Sequence, residues 1–368
     1  EHNESRMTNA KASKFGEHGG HFSRGFSLCY EDCPCHRRRD GTVSGNGNTC
    51  HTATRRRGTV VAWPHHARSV RVRNIGVEVA VGDMVVISAD EERVESVDVR
   101  RSALMRRQSF EGARGTRQIV ASNIDTVFLV HSLQSPPNQR RLERELVLAF
   151  DSGATPVVVL TKQDAVDAET AQEVNRVISE VTFDVAVIEV SSINGYGVDK
   201  IRGYATPGAT VAFIGASGVG KSTLVNALVG YEVQRTAEVR EDDQRGRHTT
   251  VAAELIALPG GAWLLDTPGL RAVTLWTSGS GIERAFPDVF TLAETCRFRD
   301  CKHLDEPDCS VTAAIQNGTL PVARLDAMRR LVAEELHVEE EQEERVRQED
   351  RRGFRRRPPR SSGVCLTR

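Results

Sequence analysis

Nowhere does this sequence hold an apolar run approaching the ~18 residues that a helix needs to cross a bilayer, which excludes a helical membrane protein. Neither sign of charge is in surplus. With 49 Lys and Arg against 50 Asp and Glu the net charge is −1, so the chain is no polycation and any nucleic-acid surface must be local. A charged, apolar and small-residue leader is absent from the start, and the eight cysteines therefore read as reduced thiols and metal ligands of a cytoplasmic protein, not as a disulfide framework. Position 1 holds Glu1 instead of methionine, and Met7 is the candidate initiator. What is present is length. At about 150 residues per domain, 368 residues make two or three domains with at least one full core, which excludes a small stapled module.

Composition divides the chain into five stretches. Residues 1–57 are polar and rich in Gly, Ser, Asn and His, with charge clusters at Arg37, Arg38, Arg39 and at Arg55, Arg56, Arg57; ten basic and six acidic residues give about +4. No hydrophobic period runs through them, which predicts an extension without regular structure. Cys29, Cys33, Cys35, His36, Cys50 and His51 within it leave a second metal site open. Residues 58–115 hold short β-branched runs at 58–63, 70–73, 77–81 and 84–87, separated by turns such as Gly82-Asp83, and predict a small β-barrel. Over 116–280, strand-like runs at 124–130, 156–160, 185–190, 210–214, 253–258 and 262–265 alternate with helical spacing at 140–150 and 168–181. That alternation predicts a mostly parallel sheet with helices on both faces, an α/β domain. Residues 281–345 are punctuated by Cys and Pro before a helix at 325–347, and 346–368 form a basic tail. The last 24 residues hold nine arginines and two acids.

The sharpest motif is Gly215-Ala216-Ser217-Gly218-Val219-Gly220-Lys221-Ser222, a phosphate-loop pattern that runs on into Thr223. A strand-like run enters it and an apolar helical run leaves it. The chemistry needs this order: glycines let backbone N–H groups turn toward phosphates, the helix N-terminus adds positive potential, Lys221 neutralises β- and γ-phosphate oxygens, and Ser222 ligates Mg²⁺.

A phosphate loop does not choose the base. Thr161-Lys162-Gln163-Asp164, directly after the run 156–160, resembles the guanine-specificity motif of GTPases with Thr in place of Asn. The Asp164 carboxylate accepts from guanine N1–H and the 2-amino group, which adenine does not offer, while Lys162 lies along the base plane. Asp266-Thr267-Pro268-Gly269 resembles the second switch, where Asp266 holds Mg²⁺ through water and the Gly269 N–H senses the γ-phosphate. Between the two lies Gly246-Arg247-His248-Thr249-Thr250, where a first switch supplies a threonine to Mg²⁺; Thr250 is assigned, with Thr249 the alternative. Ser191-Ser192 resembles the remaining base-contacting loop. In an ordinary GTPase the phosphate loop comes first and the base motif last, but here Asp164 precedes Gly215 by 51 residues. The domain is therefore circularly permuted, which is feasible wherever the old termini lie close together.

After it, Cys296, Cys301, His303 and Cys309 place three thiols and one imidazole within fourteen residues. Such a set saturates a tetrahedral ion and predicts one structural Zn²⁺ in a C-terminal helical module.

A small barrel, a permuted GTPase domain with this Gly-Arg-His-Thr-Thr segment and a three-Cys, one-His module together resemble the ribosome small subunit-dependent GTPase A (RsgA-like) family of bacteria, over residues 58–336. The resemblance implies an OB-type barrel, GTP hydrolysis stimulated by the small ribosomal subunit, a late role in its maturation and rRNA contact through barrel and zinc module. GTP and GDP, Mg²⁺ and Zn²⁺ are the implied ligands, and the expected state is a monomer away from membranes. The implied catalytic residues are Lys221, Thr250 and His248, the last swung in when the ribosome orders the first switch. Leu270 occupies the place of a water-orienting Gln and cannot position water. A regulatory GTPase of another assembly and a nucleotide-gated RNA-binding scaffold with little turnover stay open beside this reading. The chain departs from the family in its short barrel segment and its N-terminal Cys/His cluster, and Cys365 in the tail is read as a free thiol.

An amide donates where a carboxylate only accepts, so Asp164→Asn should end discrimination against xanthosine nucleotides. Competition binding with GDP, XDP and ADP checks this, and wild-type protein that binds adenine as tightly as guanine nucleotides would refute the motif.

Overall fold

In the computed structural model, which describes residues 49–56, 59–64, 70–73, 78–88, 92–107, 117–135, 137–231, 254–266, 280–304 and 306–355, five short strands come first: β1 (Thr49–Arg56), β2 (Thr59–Pro64), β3 (Val70–Arg73), β4 (Met84–Ile87) and β5 (Val94–Val97). Their pairings are antiparallel, and β4 returns to the side of β1 away from β2, with Cys50 opposite Val85. The spatial order β4-β1-β2-β3 is a Greek key. Residues 49–56 of the stretch expected to lack regular structure form β1, and residues 1–48 lie outside the described residues. Thr-Cys-His-Thr-Ala-Thr-Arg-Arg carries no hydrophobic signal, but a ladder is made by backbone groups that every residue except proline carries in full. Cys50 and His51 fall within β1, while Cys29, Cys33, Cys35 and His36 lie outside the described residues, as does Cys365.

A hairpin of β6 (Ala103–Arg107) and β7 (Arg117–Ser122) straddles the expected boundary at 115–116. It is tied to the barrel by Asp83, whose fully buried carboxylate accepts from Ala80 N–H at 2.7 Å, from the Ser122 hydroxyl and from Arg100 at 2.8 Å.

Beyond it the hydrophobic period changes. β8 (Thr126–Ser132), β9 (Thr155–Thr161), β10 (Ala186–Glu189), β11 (Thr210–Gly215), β12 (Glu254–Ala257) and β13 (Trp263–Asp266) stand in the order β10-β9-β8-β11-β13-β12, all parallel except β12. β12 runs antiparallel because residues 258–262 are too few for the crossover that parallel neighbours need. Across its other side, Thr54 of β1 meets Glu254, which joins barrel strands to this sheet. β8 is buried at every position and reads as one apolar run because both sheet faces are covered. α1 (Gln139–Ser152) and α2 (Ala168–Val181) cover one face, where Leu129, Leu142, Leu146, Val174 and Ile178 meet; α3 (Val198–Arg202) and α4 (Lys221–Val229) cover the other, with Phe128, Val130, Ile201, Leu224 and Leu228. The helix starts follow capping chemistry. Asn138 Oδ1 accepts from Arg141 N–H at 3.1 Å to open α1, and Asp167 accepts from Thr170 N–H at 2.8 Å to open α2.

Helices α5 (Ser280–Ala285), α6 (Pro287–Ala293), α7 (Ser310–Gln316) and α8 (Val322–Arg355) complete the chain. α5 lies so close on α1 that a Cβ at Gly281 would meet the Val147 carbonyl and Asp151, which requires glycine there. α8 runs past the expected end at 347 to Arg355, into the basic tail; up to that expected end, Glu343–Arg347 at 2.9 Å pairs charges four residues apart where the apolar period has stopped. Its first turn carries Arg324, which is buried: the guanidinium forks onto Asp288 at 2.9 and 2.8 Å, donates to Ala285 O at 3.0 Å and Val181 O at 2.9 Å, and lies 4.4 Å over the Phe286 ring. One side chain thus ties α8 to α5, α6 and the end of α2.

Asp288→Ala would leave that guanidinium buried without its counter-ion, at a cost of about 3 kcal/mol. Amide hydrogen exchange should show protection lost across α6 and the first turns of α8; unchanged protection would contradict this role for the pair.

Candidate nucleotide-binding site and metal centre

In chain order β8, β9 and β10 step toward one edge of the sheet, whereas β11 and β13 lie on the other side of β8. The β8/β11 junction is the topological switch point where open parallel sheets take ligands. The phosphate loop stands there. Gly215 presses on β8 so closely that a Cβ would run into the Val130 carbonyl, and Gly220 caps the N-terminus of α4. Ala216, Ser217, Gly218 and Val219 span the loop between them. Lys221 Nζ donates to Gly215 O at 2.8 Å and to Ala216 O, which holds the ammonium over the loop. Ser222 is half-buried and Thr223 exposed in the first turn of α4.

Thr161 ends β9 and is buried, with its hydroxyl against His131 O at 3.1 Å and against Val219 O. The structure therefore puts Thr161 beneath the phosphate loop as a brace, while Lys162 of the same motif is half-buried and Asp164 is exposed. Lys162 has left-handed backbone, φ 62°, and its ammonium donates to Gln134 Oε1 at 3.0 Å; Asp164 is exposed in a single 3₁₀ turn, Gln163–Ala165. The loop after β10 is joined to that turn by Gln163 N–H donating to Val190 O at 3.2 Å. Within it the buried Ser191 hydroxyl accepts from Ile193 and Asn194 N–H, both at 3.3 Å, so Ser191 shapes the loop and Ser192 is half-buried beside it. Asp266 ends β13, next to β11. His248, Thr250 and Gly269 lie outside the described residues. Sequence reading missed two polar features at this edge. His131 Nε2 lies 2.9 Å from Glu145 Oε2, both buried, with Arg141 at 2.7 Å on the other carboxylate oxygen; Gln134 sits against Lys162. The Arg141/Glu145 spacing of four on α1 was the available signal for the first; nothing marked the second.

The metal-type residues gather between α6 and α7. All four ligand atoms of Cys296, Cys301, His303 and Cys309 lie within 4.8 Å of one another, with Cys296 Sγ 3.8 Å from Cys309 Sγ and His303 Nδ1 at 3.6 and 3.4 Å from these two. A tetrahedral zinc with bonds of about 2.3 Å has ligand edges of about 3.8 Å, so the cluster fits that ion. His303 and Asp308 take left-handed backbone, φ 58° and 59°. The Glu306 carboxylate accepts from Lys302 and Leu304 N–H at 2.9 and 2.7 Å, which holds it below the usual carboxylate range and fixes the knuckle around His303. Arg329 of α8 donates to His303 O at 2.6 Å. Desolvation pushes the Cys301 thiol up to about 11; burial also raises Cys309, but bonds from Thr312 and His303 prevail and bring it down to about 6.

Fold and loops define a P-loop GTPase domain whose chain order is circularly permuted. The RsgA GTPase family model matches residues 97–276. The small ribosomal subunit biogenesis GTPase RsgA of Methanosarcina acetivorans is 43% identical over 267 residues, 72% of this chain and 71% of that one. The protein of the same name from Streptomyces avermitilis is 42% identical over 282 residues, 76% and 75% of the two chains. This chain belongs to the RsgA GTPase family. In fold it matches YjeQ from Thermotoga maritima, with TM-score 0.59 at 22% identity over 78% of this chain and 98% of that one, and YloQ, a circularly permuted GTPase, with TM-score 0.58 at 21% identity over 82% and 98%.

Proposed function

We propose that this protein hydrolyses GTP to GDP and phosphate in the biogenesis of the small ribosomal subunit, the process for which its relatives are named. The observation that carries the reading is the phosphate loop at the switch point, braced by Thr161 to the turn that bears Lys162 and Asp164. Backbone N–H groups of 215–220 and the α4 N-terminus receive the phosphates, Lys221 leaves its loop carbonyls for the β- and γ-oxygens, and Asp164 reads the guanine edge. Ser222, Thr250 and Asp266 are oxygen donors of the hard type that Mg²⁺ takes, and that ion, when bound, neutralises charge developing on the phosphates. His248 orients the attacking water in place of a glutamine, and the Gly269 N–H reports the γ-phosphate.

Cys296, Cys301, His303 and Cys309 hold one Zn²⁺ in a closed structural site, so the metal keeps a fold and performs no chemistry. Barrel and zinc module contact rRNA, and the protein works as a cytoplasmic monomer. No described helix is long and apolar enough to cross a membrane.

GTP hydrolysis with and without purified small subunits tests this reading. Turnover should rise severalfold with subunits, and His248→Ala should abolish the rise. A rise with some other assembly and not with small subunits would favour a regulatory role elsewhere; negligible turnover in both would favour a nucleotide-gated scaffold.

Cys301→Ser should release the zinc and loosen the region after the GTPase domain, while GDP affinity persists because the phosphate loop and α4 are held by the core on the α3/α4 face of the sheet, which contains no residue of the C-terminal module. Elemental analysis and GDP titration check this. A reduced wild-type protein without zinc, or loss of GDP binding in the variant, would overturn the division.

A further inference from the structure

The loop after β8 is pinned to the base-reading turn by backbone alone. Ser132 pairs with Thr161 in the β8–β9 register, and Leu133 N–H donates to Thr161 O at 3.0 Å. The next residue on one strand end is Gln134 and on the other Lys162, so the two side chains are neighbours whatever the rest of the loop does. Gln134 N–H donates to Ser132 Oγ at 3.2 Å, which turns the loop back on itself. From that position Gln134 Oε1 accepts from Lys162 Nζ at 3.0 Å. Lys162 also holds φ 62°, a left-handed conformation that a long L side chain adopts only where its surroundings impose it.

We infer that Gln134 is a positioning residue of the guanine site: its amide oxygen tethers the Lys162 ammonium, so that the lysine stem is already laid out along the plane where the base will rest. The inference rests on the reading of Thr161, Lys162 and Asp164 as the base reader. A lysine loses rotamer freedom when it is ordered, and a tether made before the nucleotide arrives removes part of that cost from binding. Lys162 touches the face of the base and Asp164 its edge. The tether therefore acts on every purine that can lie against Lys162, and it leaves the discrimination by Asp164 alone.

Binding of GDP, IDP and ADP to the full-length chain tests this, since IDP lacks the 2-amino group that Asp164 accepts from. In Gln134→Ala, affinity for GDP and for IDP should fall by the same factor, about three- to tenfold, the size of one solvent-exposed hydrogen bond. Gln134→Glu, which keeps an acceptor at that place, should restore it. In a Lys162→Met background Gln134→Ala should cost nothing further, because the group it holds is gone. Gln134 is exposed, so these variants keep the fold. The proposal is overturned if Gln134→Ala binds GDP like the wild type, if its cost persists in the Lys162→Met background, or if it changes the GDP/IDP ratio, which would place its effect on Asp164. Wild-type protein without preference for GDP over ADP would overturn the base-reader assignment itself, and the role of Gln134 with it.

Discussion

Parallel strands cannot be joined by a tight turn, and this constraint organises the nucleotide half of the molecule. Each parallel neighbour needs a crossover, the crossovers here are helices, and helices on both faces bury the central strand β8 at every position. All the strands that matter then end at the same edge. Thr161, Ser191, Gly215 and Asp266 lie 30, 24 and 51 residues apart in sequence, yet each is the last residue of a parallel strand or lies two residues past its end. Chain order has no influence on that convergence, which is why a permuted chain can build the same site. The inter-loop bonds set its shape: the Thr161 hydroxyl beneath the phosphate loop, and Gln163 N–H on the carbonyl that ends the next strand.

The C-terminal module depends on that same sheet through α1. This helix meets the end of β8 by Glu145 and His131 on one side, and on the other it pairs with α8 through Glu143–Arg330 at 2.7 Å and Arg144–Glu334 at 2.6 Å. The exposed Arg144–Glu334 pair stabilises by at most about 1 kcal/mol, whereas Glu143 is buried under Arg330. The buried Arg324–Asp288 fork and the close approach of Gly281 to α1 are what decide the docking. Cys296, Cys301, His303 and Cys309 gather in the short knuckle between α6 and α7, where His303 and Asp308 hold left-handed backbone and the Glu306 carboxylate accepts from Lys302 and Leu304 N–H.

Much of the site was legible in the residues. Phosphate-loop chemistry demands particular residue types at particular spacings, and metal ligation demands three thiols and an imidazole close together; both leave marks that no other local structure requires. The parallel strands were equally visible, because burial on both faces forces continuous β-branched runs. Other elements were not, β5, β6, β7 and α3 among them. β1 is polar and owes its existence to backbone pairing with β2 and β4.

The sequence by itself determined the chemistry: which residues can meet phosphate, guanine and a soft metal ion, and that the domain is permuted. Tertiary structure decided which members of a motif do which task. Thr161, Lys162 and Asp164 are nearly adjacent in sequence, yet Thr161 is buried as a brace, Lys162 half-buried and Asp164 exposed, because β9 ends at Thr161 and the chain turns. Gln134 and Arg324 carried no signal at all, because their partners Lys162 and Asp288 lie 28 and 36 residues away along the chain and only folding brings them together.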